Sequence, residues 1–181
     1  RKKYRRGRRK KKKGGIISTL ILIIAIAVFC VSGYQLYKIF GGYHQGKSEY
    51  DKVREVAVHG DDKDEDEFVV DFDELKKINA DTVGWIRFYP EPSQISYPLV
   101  QTTDNDLYLN RTFSANENTV GAIFVNCDNA SDFSDRNTII YGHRMRDHSM
   151  FHDLEKYKDE SFWKENPYFY IYTPDGRKLS C

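Results

Sequence analysis

The stretch NTIIYGHRM, residues 137–145, sets the architecture that we expect for this chain. Residues 138–141 are apolar or β-branched and predict a short buried strand. The strand ends at Gly142, and His143 follows directly. A strand end is rigid and glycine permits a tight turn, so this position suits a catalytic imidazole. A lone histidine at a strand end is more often an ordinary polar residue, and the rest of the sequence has to distinguish the two interpretations.

Short strand patterns recur on both sides of this stretch. They lie at 83–88, 95–101, 121–126 and 168–173. A helix is predicted for residues 72–79, capped by Asp71 or Asp73, and a longer one for residues 149–166 before Pro167. Regular short strands with few helices predict a mainly β fold, a barrel or a sandwich, with peripheral helices.

The N-terminal charge pattern is the next informative feature. Residues 1–13, RKKYRRGRRKKKK, hold 11 of the 28 basic residues. The rest of the chain carries 17 basic against 27 acidic residues, a formal charge of −10. Such an arm is typical of nucleic-acid binding or of the cytoplasmic side of a membrane span. The uncharged stretch that follows it, residues 14–37, favours the membrane.

Residues 14–37 predict an uncleaved transmembrane helix. These 24 residues would form a helix about 36 Å long, and a bilayer core is about 30 Å thick. Basic residues collect on the cytoplasmic side, so the N-terminus is expected inside and the remainder outside. A cleaved signal peptide is the alternative, but its weak cleavage pattern, Ala25 and Ala27, is followed by more apolar residues. The bulky Phe29 disfavours lipid modification of Cys30.

These patterns divide the chain into four parts. Residues 1–13 form a basic cytoplasmic arm, and residues 14–40 form the transmembrane anchor. Residues 41–67 are polar and end in an acidic run, so we expect a stalk, part of which can continue the helix. Residues 68–181 hold the folded domain.

Six segments together resemble the class B sortases, the membrane-anchored cysteine transpeptidases of Gram-positive bacteria. The segments are DTVGWIRF (81–88), ISYPLVQTTDNDLYLN (95–110), GAIFVN (121–126), NTIIYGHRM (137–145), SMFHDLEKY (149–157) and YFYIYTPDGRKL (168–179). They occur in the family's order and with family-like spacing. The resemblance implies a closed, mixed β-barrel with peripheral helices, which is expected to be incomplete in this chain.

The resemblance also implies an active site and its partners. His143 matches the family's catalytic histidine, and Asn105, Leu109 and Tyr141 match positions that line its sorting-signal groove. The implied substrate is the sorting-signal peptide of a secreted protein, and the implied acceptor is a cell-wall peptidoglycan amine. The family needs no cofactor, and nucleic acid is not an expected partner.

The nucleophile is not assigned by the resemblance. Family members carry the catalytic cysteine later, in a TLSTC-like motif, and a catalytic arginine on the next strand. We expect both to be missing before the last residue here, so that the chain is truncated and inactive. Cys181 follows Leu179 and Ser180 and echoes TLSTC, but the sequence before it matches an earlier turn of the family. Cys127 is a weaker alternative, and Cys30 lies in the anchor.

Two other groups of residues have possible chemical roles. Arg144 and Arg146 can donate hydrogen bonds to an oxyanion, but side chains so close to His143 usually point elsewhere, and we interpret them as surface arginines. His143, His148 and His152 raise the possibility of a metal site. Asp147 and Asp153 are near, but no further ligand is clearly placed. The sequence therefore predicts no metal site.

Three functions remain open at this stage. The first is a class B sortase, inactive as the chain stands. The second is a non-catalytic, membrane-anchored module that binds peptides in the same groove. The third is an anchored protein whose basic arm binds nucleic acid, and nothing after residue 13 supports it.

Overall fold

The computed structural model describes residues 14–60 and 67–181. Its α-helices are α1 (Gly14–Ala57), α2 (Phe72–Ile78) and α3 (Glu160–Glu165), and two 3-10 helices span Leu107–Leu109 and His152–Lys158. The described residues form two compact units, one ending at Phe40 and the other spanning Gly41–Cys181. The basic arm of residues 1–13 lies outside the described residues.

The first unit is the apolar part of helix α1. Its large side chains are exposed because no part of the unit covers them. The stretch Ile17–Ala57 contains an 18-residue window of mean hydropathy 2.4 with none of its residues buried. Helix α1 is thus the one helix in the described ranges with the length and composition of a membrane span.

The second unit is built on a mixed sheet. The strands are β1 (Val58–His59), β2 (Val69–Val70), β3 (Thr82–Phe88), β4 (Ser96–Val100), β5 (Ile123–Val125), β6 (Ile140–Tyr141), β7 (Phe169–Tyr172) and β8 (Lys178–Ser180). Strands β1 and β2 form a separate pair, and the other six follow the order β6-β5-β4-β3-β7-β8. Only β4 and β5 run parallel in this sheet. The predicted mainly β fold with peripheral helices is confirmed.

The core lies around the central strands β3 and β4. Trp85, Ile95 and Leu99 are almost fully buried, and the Trp85 indole N–H donates to the Ser96 hydroxyl over 3.0 Å. Pro98 pairs with β3 beyond the end of the β4–β5 ladder. There its missing N–H interrupts no bond to β5, so a proline is tolerated in this strand.

The segment expected to begin the stalk packs on the folded unit instead of standing free. Residues 41–57 continue helix α1, and Tyr50, Val53 and Ala57 are buried in the core. The acidic residues 61–66 lie outside the described residues. The C-terminal part of α1, residues 41–57, is therefore a structural part of the second unit.

The buried strand predicted for residues 138–141 is shorter and more exposed than expected. Only Ile140–Tyr141 is a strand, and it is partly exposed because β6 is an edge strand of the sheet. The Asn129 side chain accepts from the Ile139 N–H at 2.9 Å and donates to the Asn137 carbonyl at 2.8 Å. A side chain thus takes the backbone groups that a longer ladder would have used.

The single helix predicted for residues 149–166 is also corrected. The structure has the 3-10 helix His152–Lys158 and then α3, with extended backbone at Asp159 between them. The Asp159 carboxylate accepts from the Ser161 N–H over 2.8 Å and caps α3. An aspartate that caps a new helix ends the preceding one, which the apolar periodicity alone does not reveal.

Candidate active site

His143 lies just beyond the end of β6, and its ring is held by the backbone. Its Nε2 atom lies 2.6 Å from the carbonyl oxygen of Leu109. A carbonyl oxygen only accepts, so Nε2 carries the hydrogen and Nδ1 is left to accept or deliver a proton. The residue is half-buried. The imidazole is therefore fixed in orientation and remains accessible to a substrate.

Gly121 provides the space for this ring. Its φ is +67°, and a Cβ at this position would lie 2.7 Å from Cδ2 of His143 and 2.9 Å from the Leu109 carbonyl oxygen. Gly142 plays a similar role on the other side of the histidine, because a Cβ there would lie 2.6 Å from the Phe151 ring. Both glycines are needed for close packing around the site.

Gly121→Ala should destabilise the protein more than Gly176→Ala. Both residues have positive φ, but a Cβ at Gly176 meets nothing within 4 Å. The control should lower the free energy of unfolding by about 1–2 kcal/mol, and overpacking at Gly121 should add about 1–3 kcal/mol. Urea unfolding of both variants measures the difference. Equal losses would mean that the His143 ring moves aside freely.

Helix α1 holds the loop that carries Gly121. The buried Tyr50 hydroxyl donates to the Gly121 carbonyl over 2.8 Å and accepts from the Phe113 N–H over 3.2 Å. The Glu49 carboxylate accepts from the Ser114 N–H over 3.0 Å. The chain segment against the His143 ring is therefore braced by the helix that leads from the apolar unit.

Sequence reasoning missed this bracing, although one pattern indicated it. Tyr50, Val53 and Ala57 recur at the spacing of one helical face. The neighbouring charged residues led us to expect a solvated stalk. The apolar face was the more informative feature.

The residues predicted to bind peptide lie near His143, apart from one. Leu109 contacts the imidazole through its carbonyl oxygen. Its side chain is 36% exposed, as is that of Tyr141, and Leu107 and Ile139 are similarly exposed. Leu109, which contacts the ring, and Tyr141, two residues before it, thus offer exposed apolar side chains, the composition expected of a peptide-binding surface.

Tyr141 and Asn105 are connected through the end of β5. The Tyr141 ring stacks on Phe124 with 5.1 Å between centroids, and its hydroxyl accepts from the Asn126 amide over 3.1 Å. The Asn105 side-chain oxygen accepts from the Cys127 N–H over 2.9 Å. Asn105 therefore supports the backbone beside Asn126. In the described part of the chain it forms no hydrogen bond with His143.

Cys127 is not placed to react with His143. In the β5–β6 ladder Phe124 pairs with Tyr141, which puts Ala122 opposite His143. Cys127 lies five residues further along, which corresponds to about 17 Å of strand. The half-buried Cys127 thiol is therefore at the wrong end of this ladder.

Cys181 follows the strand at the opposite edge of the sheet order. Four strands separate β8 from β6 in that order, and the Cys181 backbone pairs with Phe169. Partial burial raises the pKa of the Cys181 thiol and disfavours the reactive thiolate. Among the described residues, no hydrogen bond joins Cys127 or Cys181 to the His143 ring, whose recognised partner is the Leu109 carbonyl.

Arg144 is engaged away from the histidine. Its guanidinium forms an ion pair with Glu155. The hydrogen bond from Arg144 and another from Lys158 lower the pKa of the Glu155 carboxyl to about 2. Arg146 is exposed. Both arginines are surface residues, as expected. Among the described residues, neither forms a hydrogen bond with His143.

Comparisons with known proteins place this geometry in context. No family model matches the chain. The sortase B of Listeria monocytogenes is 34% identical over 157 residues, which cover 82% of this chain and 61% of that protein. The sortase B of Staphylococcus aureus is 30% identical over 148 residues, covering 82% of this chain and 60% of that protein.

Solved structures agree with the sequence relatives. The crystal structure of sortase B from Bacillus anthracis in complex with AAEK1 matches with a TM-score of 0.67 and 33% identity. The match covers 78% of this chain and 66% of that one. The chain thus spans about 60% of the length of the two curated relatives that it matches.

Proposed function

We propose that this chain, which belongs to the class B sortase family, is the anchored, histidine-bearing part of a cysteine transpeptidase that joins secreted proteins to the cell wall of a Gram-positive bacterium. The observation that carries the proposal is the His143 imidazole, fixed by the Leu109 carbonyl with Nδ1 left available. The exposed apolar side chains of Leu109, whose carbonyl contacts the ring, and of Tyr141, two residues before His143, support a peptide substrate.

The proposed chemistry is transfer through a thioester. A cysteine thiolate bonds to a peptide carbonyl carbon, and the carbon–nitrogen bond breaks as the leaving amine takes a proton from the His143 imidazolium. The acceptor amine then attacks the thioester, loses its proton to the imidazole and releases the thiolate. The family's cysteine and arginine would supply the nucleophile and the oxyanion donor. Among the described residues, His143 has the geometry for its part.

Tyr141→Ala should weaken peptide binding more than Tyr168→Ala. Tyr141 lies two residues from His143, whereas the more exposed Tyr168 precedes β7. Loss of an aromatic contact surface should raise the dissociation constant by about tenfold. The measurement is fluorescence anisotropy with sorting-signal peptides from secreted proteins of the same genome. Equal affinities in the two variants would place the groove elsewhere.

The proposed topology has residues 1–13 in the cytoplasm, a span within residues 14–40 and the domain outside the cell. The basic arm before the apolar stretch carries this orientation. Protease added to intact protoplasts should degrade the part of the chain that follows about residue 45, because that part would lie outside the cell. Detergent-lysed cells provide the control. A C-terminal part that stays protected until lysis would reverse the orientation.

A non-catalytic peptide-binding module is the second candidate. The observation in its favour is that no hydrogen bond joins Cys127 or Cys181 to His143 among the described residues. This candidate predicts peptide binding that depends on Tyr141 without turnover in any longer form of the protein. The first candidate predicts turnover once a cysteine is placed beside the imidazole.

A further inference from the structure

We propose that His148, His152 and Asp153 form a binding site for one divalent transition-metal ion, Zn²⁺ being the best fit. One ligand atom from each residue lies within 4.8 Å of the other two. The sequence raised both histidines as possible ligands, with no further ligand clearly placed. The structure instead places His148 in a loop before the 3-10 helix and folds it back onto Asp153.

Two hydrogen bonds donated by backbone N–H groups hold the loop that carries His148 against the rest of the domain. The Phe151 N–H donates to the His143 carbonyl over 2.9 Å, and the Met150 N–H donates to the Tyr97 hydroxyl over 3.0 Å. His148 has a φ of +66°, which is uncommon for a residue with a side chain. The imidazole of His148 is therefore presented by a fixed, unusual backbone.

The three ligand atoms have compatible positions. Nδ1 of His148 lies 3.6 Å from an oxygen of Asp153, close to the spacing of two ligands that share a metal at about 2.0–2.1 Å. The His148 and His152 ring centroids are 4.1 Å apart. Nδ1 of His152 is hydrogen-bonded to the Met145 carbonyl, so Nε2 is the nitrogen that would coordinate the ion. A backbone carbonyl that orients a ligating histidine is common in metal sites.

The chemistry of the donors selects the ion. Two imidazoles and one carboxylate suit Zn²⁺ or Cu²⁺ better than Ca²⁺ or Mg²⁺, which prefer oxygen ligands. The Asp153 side chain is 6% exposed, whereas that of His148 is 67% exposed. The site is thus buried on the carboxylate side and open to solvent on the other, so water can complete the coordination.

Lys156 opposes metal binding and provides a diagnostic. Its ammonium lies 2.9 Å from the second oxygen of Asp153, leaving the first oxygen to face His148. Since like charges repel, Lys156→Gln should strengthen Zn²⁺ binding by several-fold, up to about tenfold. If the cluster binds no metal, Lys156→Gln should not increase the affinity for Zn²⁺.

The test is calorimetric titration of the full chain in detergent micelles with Zn²⁺. We expect one ion per chain, and we expect His148→Ala and Asp153→Asn each to weaken binding by at least about tenfold. His44→Ala is the matched control, because His44 is exposed and distant in sequence, and it should leave the affinity unchanged. Circular dichroism of each variant checks its fold.

Two results would overturn the proposal. One is an absence of binding up to about 1 mM Zn²⁺ in the parent chain. The other is an affinity that stays the same in His148→Ala as in His44→Ala, which would assign the ion to other groups. If Asp153→Asn fails to fold, His148→Ala and Lys156→Gln decide the matter, because the proposal requires them to change affinity in opposite directions.

Discussion

Replacing His143 with alanine should lower the rate of peptide transfer by a factor of about 10²–10⁴ in a protein that also contains the family's cysteine and arginine strands. Nδ1 of this imidazole is the proton donor in the proposed reaction, because Nε2 is engaged with the Leu109 carbonyl. Without the ring, the leaving amine departs unprotonated and the thiol loses its base. The measurement is amine-dependent cleavage of a fluorogenic sorting-signal peptide.

The matched control for this variant is His59→Ala. His59 is exposed on β1 and lies outside the site, so its loss should leave the rate unchanged. His143→Ala should change the free energy of unfolding by no more than about 1–2 kcal/mol, because the ring is only half-buried. A variant that transfers peptide at the parent rate would remove His143 from the mechanism. A variant that unfolds would be replaced by His143→Gln.

The central strands were predictable because their pattern is local. Trp85 and its neighbours were expected in a strand at 83–88, and the structure has Thr82–Phe88. The aromatic strand expected at 168–173 is Phe169–Tyr172, followed by the turn in which Gly176 takes a φ of +82°. Apolar alternation and turn residues act over a few positions, so a single sequence carries enough information for them.

The features that escaped prediction depend on partners far along the chain or on single polar side chains. Tyr50 bonds to Gly121, 71 residues away, and periodicity within a window cannot report such a pair. Asn129 takes the backbone groups of residues 137 and 139 and shortens β6. His143 became a candidate through its position after the predicted strand together with the family resemblance, whereas the contact with the Leu109 carbonyl could not be predicted.

The 181-residue chain should leave a sorting-signal peptide uncleaved. A cysteine–histidine pair works when thiol and imidazole are within hydrogen-bond reach, about 2.6–3.2 Å apart or somewhat more before substrate binds. The sheet order separates β8, which precedes Cys181, from β6 by four strands. Cys127 lies at the far end of the β5–β6 ladder. In the described part of the chain, no hydrogen bond joins either thiol to the His143 ring.

The assay compares the full chain with its Cys181→Ala and Cys127→Ala variants, each in detergent micelles with the fluorogenic peptide. All three should show the background rate, while peptide binding measured by anisotropy persists and still depends on Tyr141. Binding without turnover would show that the groove is functional and that the deficit lies in a catalytic group. Turnover that disappears with Cys181→Ala would mean that β8 reaches His143 in solution. In that case the Cys181 thiol would lie close enough to the His143 imidazole to react, although β8 and β6 are at opposite edges of the sheet order.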